Sequence, residues 1–112
     1  MNKFELYCMI FLALDSDWDD TRDEELGQFL SSMSPFTFDD IGSAVPYVYK
    51  EFCDFVQEKI TIENSYDIAL EYVNSIKFFD LDLVSIFKTV DTEKWKEGCK
   101  NYLATDHKGK DC

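Results

Sequence analysis

Histidine is almost missing from this chain: His107, near the C-terminal end of its 112 residues, is the single one. Serine and cysteine nucleophiles are most often activated by a neighbouring imidazole, so the body of the domain has no Ser-His or Cys-His pair to offer. Glycine is scarce as well. Gly27, Gly42, Gly98 and Gly109 stand apart, so no glycine-rich loop is available to cradle a phosphate. The four cysteines, Cys8, Cys53, Cys99 and Cys112, form no C-x-x-C pair, and with one histidine they make no zinc-binding cluster. The longest apolar run, LYCMIFLAL at 6–14, is far too short to span a bilayer. Glu5 precedes it, DSDWDD follows it, and no small-x-small cleavage site is present, so it does not read as a signal peptide. These absences lead to the expectation of a protein that is not an enzyme, needs no cofactor or metal, and acts by binding a partner.

Basic residues are the other shortage. Eleven Lys and Arg face 23 Asp and Glu, for a formal net charge of −12. Such a field repels nucleic acid and anionic membrane and steers basic partners instead. Acidity also keeps proteins soluble, so charge alone does not separate the two roles. Its placement adds information. Residues 1–25 hold eight acids and two bases, while 92–112 hold four acids and five lysines. The hydrophobic fraction of 46% is enough for a core, so the chain is not a disordered acidic tail.

Apolar spacing predicts helices throughout. Phe4, Tyr7, Cys8, Phe11 and Leu14 mark a first helix over 3–14, ended by DSDWDD. Thr21 and Glu24 form a capping-box pair for a second over 22–33, with Leu26, Phe29, Leu30 and Met33 inward and Pro35 as its stop. Residues 34–46 form the longest irregular segment. After Pro46 a third helix puts Val48, Phe52, Phe55 and Val56 on one face, with Tyr49 and Cys53 flanking. A short connection at 60–64 leads to a fourth over 65–77, with Ile68, Ala69, Tyr72, Val73 and Ile76 inward. A fifth spans 81–90, where Leu81, Leu83 and Val84 also come close to strand alternation. Thr92 caps a last helix carrying Trp95, Cys99, Tyr102 and Leu103, and 105–112 form a frayed tail. The expected fold is all-α, a single-domain bundle of five to six helices over 1–112. Cys8, Cys53 and Cys99 are expected as free thiols in a reducing compartment, with Cys112 exposed and the protein cytoplasmic.

The acidic run needs a calcium check. With Asp15 as position one, position six is Asp20 where glycine is required, and position twelve is Leu26 where a bidentate glutamate is required. Starting at Asp17 puts Arg22 and Gln28 at those positions, so both registers fail. The acids at 23–25 suit the positive end of the second helix. Asp15, Asp17, Asp19 and Asp20 have no such account, and Trp18 sits among them. Two placements are open for Trp18: a binding anchor on a loop with an acidic rim, or a ring folded back onto the core. Asp39 and Asp40 form a second acidic pair, and they also suit the cap of a short turn.

The segment DEELGQFLSSMSPFTFDDIGSAVPYVYKEF at 23–52, chiefly ELGQFLSSMSPF and DDIGSAVP, resembles small helical bacterial immunity proteins. These are encoded beside polymorphic toxins, including those of contact-dependent growth inhibition systems. The resemblance implies a monomer that binds and neutralises a cognate toxin, most simply a basic nuclease acting on RNA, without touching nucleic acid or membrane itself. Asp15, Asp17, Trp18, Asp19, Asp20, Asp39 and Asp40 would form or border the toxin-facing surface. The alternative is an acidic adaptor or regulatory module that docks a basic cellular protein.

Overall fold

A computed structural model describes residues 1–35, 45–76 and 81–104, and only the backbone at 17, 19 and 20. Within them the chain is an all-α bundle of six helices with no strand: α1 (Lys3–Thr21), α2 (Glu24–Met33), α3 (Pro46–Phe55), α4 (Ile62–Ser75), α5 (Leu83–Phe87) and α6 (Thr92–Ala104). Among those residues no helix is long and apolar enough to cross a membrane.

The central element is α1. Phe4, Leu6, Tyr7, Cys8, Met9, Ile10, Phe11, Ala13 and Leu14 are all buried, and they point all around the helix. A helix that is apolar on every side has to be surrounded. All five other helices touch it. Its start is fixed by a capping box, in which the Glu5 N–H donates to Asn2 Oδ1 at 2.8 Å and the Asn2 N–H donates to Glu5 Oε1 at 2.7 Å.

Its end lies seven residues beyond the expected one. The acidic run does not stop α1, which continues through Thr21 to a left-handed cap at Arg22 with φ 55°. The reason is Trp18. It stands four residues after Leu14 and so extends the buried stripe by another turn, packing against the core. Burial of that face outweighs aspartate's poor helix propensity, at most about 0.7 kcal/mol per residue. Thr21 therefore belongs to α1, and the cap of α2 is Asp23, whose Oδ1 accepts from the Leu26 N–H at 3.0 Å.

Three other helices differ from expectation, and α5 is the shortest, spanning only Leu83–Phe87 of the expected 81–90. In α3 the buried residues are Tyr49, Phe52 and Cys53, while Val48 is half-buried and Phe55 exposed. The face is turned because the Tyr49 ring packs edge-on to Phe4 at 5.4 Å and to Tyr7 at 5.0 Å. The helix α4 begins within the expected connection, where Thr61 and Asn64 form a reciprocal cap. Its inward residues Ile68, Ala69, Tyr72 and Val73 are buried as expected.

Cysteine also needs a correction. Cys8 and Cys99 are free and fully buried. Cys53 is disulfide-bonded, and its partner lies outside the described residues. Cys53 is 9% exposed, whereas Cys8 and Cys99 are 0% exposed. Cysteine usage therefore no longer argues for a reducing compartment. Burial pushes the Cys99 thiol up to about 11, so it stays neutral at ordinary pH.

Buried polar groups tie the helices together. The Trp95 Nε1–H donates to Ser65 Oγ at 2.8 Å, and the Ser65 hydroxyl donates to the Ile62 carbonyl at 2.8 Å. The Tyr7 hydroxyl donates to the Met33 carbonyl at 2.6 Å, joining α1 to the end of α2. Ser65 is the one buried polar residue in the described core. Ser65→Ala strands the Trp95 N–H and should cost about 1–3 kcal/mol in urea denaturation. Ser31→Ala on the exposed face of α2 should cost less than about 0.5 kcal/mol. A Ser65 effect as small as the Ser31 effect would mean that the indole finds another partner.

Candidate functional site

Two grooves gather the candidate residues. The first lies between the end of α1 and α2 and encloses about 420 Å³. Phe11, Asp15 and Trp18 line it from α1, and Gly27, Leu30 and Ser31 from α2. Two of the residues expected at the partner surface, Asp15 and Trp18, therefore meet here. Asp17, Asp19 and Asp20 belong to the same helix by their backbone, with side chains outside the description. Asp39 and Asp40 lie outside the described residues altogether.

The structure chooses between the two placements of Trp18. Its indole folds back onto α2, so close to Gly27 that a Cβ there would stand 2.8 Å from Nε1. Glycine is what lets the Nε1 corner of the ring approach the helix this closely. On the other side the Arg22 guanidinium carbon sits 4.4 Å from the ring centroid. Arg22 holds a left-handed backbone conformation that glycine would occupy at less cost, and its side chain closes over the indole. Trp18 on its helix is thus covered by the chain's own cation, not an open anchor on a loop.

The acids near the end of α1 are unfavourable for the helix. A helix C-terminus carries partial negative charge, and Asp19 and Asp20 fall in the last turn with no base among them. Each like-signed charge there costs about 0.3–1 kcal/mol. Asp23, Glu24 and Glu25 sit instead at the start of α2, where the same sign stabilises. The two halves of the acidic run therefore have opposite energetics.

The second groove lies between α3 and the end of α4 and encloses about 670 Å³. Tyr47, Glu51, Asp54 and Phe55 project into it from α3, beside Lys50. Tyr72, Ser75 and Ile76 close the α4 side. Tyr47 is 65% exposed and Phe55 40%. Phe55 is nonetheless held, since its ring meets Tyr72 edge-on at 5.7 Å and Tyr72 meets Phe52 at 4.8 Å. Glu51, one helical turn away, raises the Tyr47 phenol above its ordinary value of 10.0, and the charge of Asp54 adds to this. Burial first, and then Glu51, raise Tyr72 as well. Aromatic rings with a carboxylate rim were expected around Trp18, and this is where they are open to solvent. The signal was present in the sequence: residues 47, 51, 54 and 55 share one side of a helix. Phe55 was instead assigned to the core.

Among the described residues no group of three or more His, Cys, Asp or Glu could hold a metal ion. The chain matches no family model, no curated protein and no solved structure.

Two measurements test these arrangements. Gly27→Ala should push the Trp18 ring off α2 and shift its indole N–H resonance, leaving that of Trp95 in place. An unmoved Trp18 resonance would mean that the ring is not seated on Gly27. Glu51→Gln should bring Tyr47 ionisation back toward 10 in a spectrophotometric titration. The folded-state phenol lies above its unfolded value, so any stability Tyr47 draws from Glu51 is present below pH 10 and is lost as pH rises through the higher folded value. An unchanged titration would remove Glu51 as the cause.

Proposed function

We propose that the chain is an immunity protein that binds and neutralises a cognate toxin, a basic nuclease acting on RNA. A nuclease grips phosphates with Lys and Arg, and a dense acidic surface competes for those side chains. Inhibition of that kind needs no catalytic group, cofactor or metal in the inhibitor. The site of action is the bacterial cytoplasm, where a nuclease toxin meets RNA. The protein acts as a monomer until it meets the toxin.

The observation that carries this reading is the acidic end of α1. Carboxylates at a helix C-terminus cost stability, and the last turn of α1 carries Asp19 and Asp20, with Asp17 just before them and no base in that turn. Residues that destabilise the fold are expected where a partner uses them. The resemblance of 23–52 to immunity proteins gives the partner its class.

Charge reversal tests the trade-off. The triple variant Asp17→Lys, Asp19→Lys, Asp20→Lys should unfold at higher urea, by about 1 kcal/mol or more, because lysine suits a helix C-terminus. It should at the same time lose the toxin and leave toxin-expressing cells unprotected. A variant that is more stable and still protects would remove this surface from the toxin interface. Protection lacking in the wild type, together with capture of a basic host protein, would favour the adaptor.

A further inference from the structure

The α3–α4 groove is separate from the acidic end of α1, and its chemistry is more selective than charge alone. Tyr47, Glu51 and Phe55 follow at intervals of four, so a carboxylate sits between two exposed rings on one side of α3. Eight residues of helix place the ring-bearing positions about 12 Å apart. Asp54 adds a second carboxylate to the lining. Phe55 rests edge-on against the buried Tyr72, which rests on Phe52, so one wall of the groove is continuous with the core. Glu51 stands one helical turn from each ring-bearing position. The groove therefore presents a fixed aromatic wall, a second ring and a carboxylate between them before any ligand arrives.

A planar guanidinium satisfies all three at once. It stacks on an aromatic face while its N–H fork reaches a carboxylate. An ammonium supplies charge without the plane or the fork. The volume of about 670 Å³ is ample for one or two such side chains with their backbone. Elsewhere in the same molecule an arginine already lies over an indole, Arg22 on Trp18 at 4.4 Å. That contact is intramolecular, whereas Tyr47 in the second groove is 65% exposed.

We propose that the α3–α4 groove binds an arginine-bearing segment of a basic protein partner. The proposal deepens the toxin-binding reading by assigning a second contact and the side chain it takes, and it rests on that reading only for the partner's identity. Lys50 opposes such a ligand, so its removal should help.

The test uses the full chain and an acetylated, amidated tri-arginine peptide, with tri-lysine of equal charge as comparison. Amide resonance shifts on titration should centre on Tyr47, Glu51, Asp54 and Phe55. Tri-arginine should bind at least about threefold tighter than tri-lysine, the weight of one exposed cation–π contact. Tyr47→Ala should level the two peptides, and Lys50→Ala should tighten both. Tyr47 and Lys50 are exposed, so neither change threatens the fold. Shifts centred on 15–25, or equal affinity for the two peptides, would overturn the proposal. If the peptide binds here while no nuclease is neutralised, the toxin reading fails and the groove stands. If a nuclease is neutralised but the peptide ignores the groove, the reverse holds.

Discussion

The fold depends on one constraint, the burial of α1 on nearly every side. Between Phe4 and Leu14 only Glu5 and Leu12 reach toward solvent, and Leu12 is 39% exposed. No single neighbour can cover such a helix, so the remaining five are arranged around it. This explains why helices as short as α5, with five residues, hold a place in the structure. An isolated five-residue helix is not stable in water. Here Leu83 and Phe87 are anchored in the common core, and Phe87 meets Trp95 at 5.2 Å. Stability comes from the shared core and not from the separate elements.

The polar ties follow from the same constraint. A crowded core leaves little room for unpaired donors, and each one left buried costs about 1–3 kcal/mol. Ser65 meets this by serving two neighbours, accepting from Trp95 and donating to Ile62. Tyr66 likewise extends its hydroxyl to the Val90 carbonyl at 3.1 Å, tying α4 to the turn after α5. The aromatic residues act as links as much as fillers.

Helix number and class were legible because buried stripes repeat at three and four residues. Two failures have a common cause. At Trp18 the acids were taken as a stop, although the interval from Leu14 continued the stripe. In α3, apolar residues at 48, 49, 52, 53, 55 and 56 outnumber the buried positions, so periodicity alone does not say which are inside. The choice fell to Phe4 and Tyr7, residues more than forty positions away, whose rings receive Tyr49. A pattern along one helix cannot contain that information. The cap of α4 escaped for a local reason, since Asn64 replaces the Glu or Gln of the usual motif.

The two grooves show what separates a binding aromatic from a structural one. Acidic neighbours do not, because Trp18 and Tyr47 both have them. What differs is whether the ring face is already satisfied. Trp18 has Gly27 beneath and Arg22 above, and a partner's cation would have to displace a guanidinium tethered four residues away. Such a tether gives Arg22 a high effective concentration that a free competitor must overcome. Tyr47 meets no such rival. Its ring stands 65% exposed, one helical turn from Glu51. Charge at the end of α1 can draw a basic partner in and set its approach. Affinity for a particular side chain requires surface still free to be buried, and the rings of α3 supply it.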